Sequence, residues 1–169
     1  MGITIHYQGR LNPRVKIKEF HGLTKVLCLE NRWTITDLEE TTGKLQWSVQ
    51  GASMPYEGKI NEFIILPHNH CEPLNFQIGG NGFFQDRCKT QFAPVEIHVQ
   101  IVRFFEDLKV KLVEMLIKDE GGYWETRDLA RLKHNLDTCF SAIEKTRQES
   151  PDYYGPVRLE DGRIADLQK

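Results

Sequence analysis

A chain of 169 residues with 40% hydrophobic content is long enough to bury one real core and short for more than one domain. Its 22 basic and 24 acidic residues leave a formal net charge of -2, so no overall positive field draws it to phosphate backbones or anionic lipid, and neither nucleic acid nor membrane is an expected partner. The opening residues lack the basic-then-apolar pattern of an export signal, no stretch has the apolar length of a membrane span, and Cys28, Cys71, Cys88 and Cys139 are scattered without a Cys-x-x-Cys pair. Together these predict a cytoplasmic protein with free thiols.

In chain order, the alternation from Ile3 to Tyr7 predicts a short strand that turns at Gly9. Asn12-Pro13 reads as a helix start, and Val15, Phe20, Leu23, Val26 and Leu27 carry a helical spacing to about Asn31. Trp33 to Leu38 returns to period two and predicts a second strand. Leu45, Trp47 and Val49 share one face of a short strand, while Gly51, Pro55 and Gly58 predict irregular structure over 51–58. The apolar run Ile60 to Leu66 has the length of a buried strand and stops at Pro67. Leu74 to Ile78 and Phe83 to Arg87 flank Gly79-Gly80-Asn81-Gly82, which predicts a hairpin and argues against a phosphate-binding glycine loop.

From Pro94, the residues His98, Ile101, Val102, Phe105, Leu108 and Leu112 form the stripe of an amphipathic helix. Met115-Leu116-Ile117 before Asp119-Glu120-Gly121-Gly122 reads either as the last turn of that helix or as a separate strand, and the glycines that close the apolar triplet favour the strand. Thr126 is a candidate cap for a last helix carrying Leu129, Leu132, Leu136 and Ile143 and ending by Ser150-Pro151. The expected organisation is a single α+β domain over 1–150, with a mixed, mostly antiparallel sheet packed against about three helices, followed by a loosely packed C-terminal tail over 151–169.

His68-Asn69-His70-Cys71-Glu72, stiffened by Pro67 and Pro73, places imidazoles, a thiol and a carboxylate just after the most apolar strand. His-x-His can direct both rings to one side of an extended segment, but a divalent transition metal such as zinc needs a further ligand from elsewhere. His98 is the natural candidate, which makes His68, His70 and His98 the candidate metal ligands and Glu72 and Glu125 the candidate acids or bases, with Glu96 as another carboxylate near a helix start. Cys71 beside His68 or His70 is a candidate nucleophile. The commoner meaning of such a cluster is structural: a loop whose polar groups bond the backbone, and a core histidine at position 98 bonded to its neighbours. Asp119 to Thr126 reads the same way, as a turn with buried rings, although Trp47, Tyr123 and Trp124 are also candidate lining for a small-molecule pocket.

Thr4 to Leu11, Pro67-His68 with Cys71-Glu72-Pro73-Leu74, Lys89-Thr90-Gln91-Phe92 with His98, and Asp119 to Thr126 together resemble motifs of an uncharacterised family of soluble bacterial proteins of unknown function. The resemblance implies a soluble bacterial protein and directs attention to His68, Cys71, Glu72, His98 and Glu125 without giving them roles. Because spacing alone completes no catalytic constellation, the expected function is a binding or interaction protein with a protein or small-molecule ligand. The rival expectation is a metal-assisted hydrolase or related enzyme built on the His/Glu set.

Overall fold

The structure, a computed structural model, describes residues 2–169. Its first strand, β1 (Thr4–Leu11), runs straight through Gly9, where a turn was expected. A side chain there would not fit: a Cβ on Gly9 would come within 2.7 Å of the Phe84 ring, so the glycine admits a ring from the neighbouring strand. Asn12 makes a turn ahead of the first helix, accepting from the Arg14 amide at 2.9 Å, and α1 (Ile17–Asn31) begins later than the Asn-Pro signal suggests. Trp33 is buried beyond the helix, and only Thr34–Ile35 (β2) of the expected second strand joins a ladder.

The segment expected to be irregular is instead the longest hairpin of the chain. Strand β3 (Glu39–Val49) pairs without interruption against β4 (Ala52–Leu66), from Glu39 opposite Glu62 to Val49 opposite Ala52. The turn is Gln50-Gly51, with φ of 50° and 79°, the left-handed pair that a two-residue hairpin with native twist requires. Pro55 is tolerated because β4 has a single neighbour at that point, β3. The inner half of β4, Ile60 to Ile65, pairs on its other side with β5 (Leu74–Gly79).

The glycine turn at 79–82 joins β5 to β6 (Phe83–Lys89) as expected, but these strands form no ladder with each other. β5 belongs to the β4 sheet and β6 to a second antiparallel sheet of order β6-β1-β7, with β7 spanning Leu112–Asp119. The turn is therefore a corner between sheets. Tyr7 ties them together by donating its hydroxyl to the Asn75 carbonyl at 2.8 Å. Packing dictates the corner: Phe76 stacks on Phe63 at 4.9 Å and meets Phe84 at 5.2 Å and Phe20 at 5.9 Å, so one aromatic cluster serves both sheets and α1.

Helix α2 (Val95–Leu108) buries His98, Ile101, Val102, Phe104, Phe105 and Leu108, which is the predicted stripe with Phe104 added and without Leu112, already in β7. It covers the face of β1 that carries Ile5 and Tyr7, with the Tyr7 and Phe105 rings 4.9 Å apart. A short helix, α3 (Tyr123–Thr126), precedes α4 (Leu129–Glu149). Asp128, not Thr126, caps α4 by accepting from the Arg131 amide at 3.0 Å, and α4 buries only Leu132 and Leu136, against Ile3.

The C-terminal segment, expected as a loosely packed tail, is tied to the body. Its strands β8 (Val157–Arg158) and β9 (Ile164–Ala165) pair with each other, and Ile164 is buried. The architecture is α+β, built of antiparallel sheets covered on one side by helices, and no helix among the described residues is long and apolar enough to cross a membrane.

Candidate functional site

The most enclosed polar constellation joins α2, the end of β6 and the end of β7. His98 places Nδ1 2.7 Å from the Thr90 hydroxyl and Nε2 3.0 Å from Asp119 Oδ2, and neither side chain of the His98–Asp119 pair is more than 1% exposed. Because an ionised carboxylate only accepts, Nε2 is the donor toward Asp119. The carboxylate also accepts from the Gly121 amide at 2.7 Å and the Trp124 amide at 2.9 Å. Burial alone would push the Asp119 carboxyl up; the His98 bond and charge and the two amides outweigh it and hold the group below its ordinary value. Gly121 is required here, since a Cβ would lie 2.6 Å from Leu132 and 3.1 Å from both Asp119 and His98.

The Thr-His-Asp order resembles a nucleophile, base and orienting acid, but every polar atom of the His and Asp is engaged and the three side chains are sealed. Catalysis by a triad needs a nucleophile that substrate can reach. The cluster is a pin that fixes the α2 start to the β7 end. No bond from His98 to Thr90 or Asp119 is legible in the sequence, although Thr90 stands in the motif grouped with His98; the only physical sign is two polar residues bracketing an apolar helix.

The loop after β4 is likewise committed to structure. His68 Nδ1 accepts from the His70 amide at 3.0 Å, and the two rings meet edge to face at 5.3 Å. Cys71 is fully buried, and its thiol, hydrogen-bonded by Cys88 against the opposing cost of burial, lies below its ordinary value, whereas burial pushes Cys88 up. Glu72 turns inward at 3% exposure: Oε1 accepts from the Ile164 amide at 2.8 Å, and Oε2 from the Lys89 amide at 2.9 Å and from Arg163 at 3.2 Å. Arg163 also bonds Asp86, while Arg158 donates to the Cys71 carbonyl at 2.9 Å, so the C-terminal hairpin clamps this loop.

The structure thus does not bring the expected metal site together. Among the described residues no group of three or more His, Cys, Asp or Glu side chains converges to hold an ion, so His68, His70 and His98 form no common donor set. His98 has both nitrogens occupied inside the core. Glu72 is bound by the C-terminal segment, and Glu125 and Glu96 are exposed on their helices. Nor do the three aromatics share a pocket wall: Trp47 packs on Phe83 and Tyr56, while Trp124 lies between Lys109 and Arg127.

What remains open is the other face of the β6-β1-β7 sheet, which no helix covers. The β3–β4 arm bends over its β6 side, anchored by Trp47 at 4% exposure and by Gln85, whose amide accepts from Ser48 N at 2.9 Å and donates to Ser48 O at 2.6 Å. Between arm and sheet runs a groove of about 920 Å³, against 290 to 400 Å³ for three other hollows of the surface. His6 stands at its centre in the sheet, opposite Arg87 on one side and Lys118 on the other. His6 lies 3.4 Å from Glu120, but the Arg87 and Lys118 side chains, the Gln8 amide nitrogen and the Gln50 side chain have no partner among the described residues. Arg87 and Lys118, cations without a partner, flank His6 on the two neighbouring strands, so the row is poised for an anion.

No protein family, curated protein or solved structure matches the chain.

Proposed function

We propose that this is a cytoplasmic binding protein that takes a polar, acidic segment of a partner protein into the groove on the open face of β6-β1-β7. The observation that carries the reading is the row Arg87, His6, Lys118 beside the unpartnered Gln8 amide nitrogen and Gln50 side chain, on a sheet face that no helix covers. Amides donate and accept and so suit a peptide backbone, while unpaired cations favour carboxylates. Small-molecule sites are enclosed and mostly apolar; this groove is open and polar. Its lining offers no exposed Phe, Tyr or Trp ring on which successive bases would stack, which turns the reading away from single-stranded nucleic acid. The scattered, unpaired cysteines support a reducing compartment.

The test is an amide NMR titration with a synthetic Glu-Gln repeat peptide, run beside an oligothymidylate. The peptide is expected to shift resonances of Gln8, Ser48, Gln85 and Arg87, and Arg87→Glu should weaken binding about tenfold, or about 1.4 kcal/mol. Shifts that map elsewhere, tighter binding of the oligonucleotide, or an Arg87→Glu variant that binds the peptide unchanged would overturn the reading.

A further inference from the structure

We infer that β7 is a self-complementary edge through which two copies of this chain pair, two-fold and antiparallel, centred on Leu116. β7 is the last strand of its sheet and pairs with β1 alone. The Glu120 amide bonds the Thr4 carbonyl, which sets the phase of that ladder. Lys118, Leu116 and Glu114 then direct their backbone groups toward His6, Gln8 and Arg10, and Met115 and Ile117 direct theirs outward. No other described residue takes those outward groups. A free edge of this kind is a template for another strand.

The occupant is fixed by the side chains. Glu114, Leu116 and Lys118 lie on the open face, and Leu116 is 61% exposed while Ile117 beside it is buried in the core. In an antiparallel pair centred on Leu116, that leucine meets its own counterpart at a non-hydrogen-bonded position, where side chains approach most closely, and Glu114 of each copy faces Lys118 of the other. Met115 and Ile117 then supply the ladder bonds, in phase with their outward groups. Moving the centre to Met115 or Ile117 sets Leu116 against a charge and leaves its companion charges unpaired. Unrelated edges are repelled by the same two charges, so the strand both guards itself and selects its own sequence.

Pairing would join the two three-stranded sheets into one continuous surface. Leu116 and Lys118 line the groove, so each copy would supply the far wall of the other's groove, while Arg87 stays free toward it. Pairing engages Lys118 with Glu114 of the other copy, which leaves Arg87 as the free cation for an acidic segment, and the pairing itself does not depend on one.

The experiment is sedimentation equilibrium on the full chain, with thermal midpoints as a check that each variant folds, since Glu114 also accepts from Arg10 at 2.8 Å. Glu114→Lys and Lys118→Glu should each raise the dimer dissociation constant about tenfold or more, because each sets like charges against each other twice. The double variant should recover the dimer, and an equimolar mixture of the two single variants should form a heterodimer that neither forms alone. A monomer at every concentration, a dimer indifferent to the single reversals, or folded variants whose combination restores nothing would overturn the proposal.

Discussion

Replacing His98 with alanine is expected to lower the unfolding free energy by about 3 to 5 kcal/mol, among the largest effects of any single substitution in this chain. The size follows from what is left behind. Asp119 would lose its side-chain donor while remaining buried, and Thr90 would lose its ring partner, so a charge and a hydroxyl would sit in a cavity with fewer bonds than they had in water. Urea unfolding measures it directly. The Asp119 carboxyl titrates lower in the folded state than in the unfolded chain, so its contribution is complete above the ordinary carboxyl range and is lost as pH falls through the depressed folded value. The wild-type protein should therefore lose stability on acidification more steeply than His98→Ala, whose Asp119 no longer has the interaction that lowered it. An alanine variant with an unchanged midpoint would show that the pin does not hold α2 to β7.

The second large effect is expected at Glu72, where alanine should cost about 3 to 5 kcal/mol because Arg163 would remain half-buried with fewer acceptors and the Ile164 and Lys89 amides would lose theirs. The loss has a location as well as a size. Glu72 is the acceptor that joins the loop after β4 to β9, so limited proteolysis should cut Glu72→Ala first between Ser150 and Lys169, while β1 and α2 stay protected. Glu72→Gln, which keeps one carbonyl acceptor, should fall between the two. If the alanine variant resists protease at the C-terminal segment as well as the wild type does, the clamp is held by Arg158 and Lys89 instead.

Much of this fold is legible where the pattern is strong: the stripe of α2 buries the face its spacing predicts, and the apolar runs at Ile60 to Leu66 and Met115 to Ile117 are strands, although Ile64 and Leu116 within them face solvent. The errors share a cause. Glycine at positions 9, 51 and 58 reads as a breaker, yet Gly9 makes room for Phe84, Gly58 pairs with Gly43 within the arm, and Gly51 completes a tight turn with Gln50. A glycine's role depends on which neighbour approaches it, and that neighbour is distant in sequence. The glycine turn at 79–82 misleads in the same way, because a turn specifies a reversal of the chain but not which strand each arm will pair with.

The candidate site shows the same limit more sharply. His68, Cys71, Glu72 and His98 stand out as chemistry-bearing residues, and the structure commits each to an internal bond. Their partners, Thr90, Asp119, Arg163 and the Ile164 amide, lie up to 92 residues away, so spacing carries no trace of them. The groove residues were still less visible: His6, Gln8, Arg87 and Lys118 are ordinary polar positions of amphipathic strands, and become a row only through the β1 registers. An uncovered sheet face is a property of topology, not of any local motif.

Polar groups locked inside the fold stand apart from polar groups offered to solvent on the open sheet. Carbethoxylation of the native protein, mapped peptide by peptide, measures that division histidine by histidine. His70 and His134 on the surface and His6 in the groove should react, while His98 stays unmodified until the chain unfolds. Modification of His98 in the folded protein at the rate of His134 would contradict the account and return the buried cluster to the list of reachable, reactive sites.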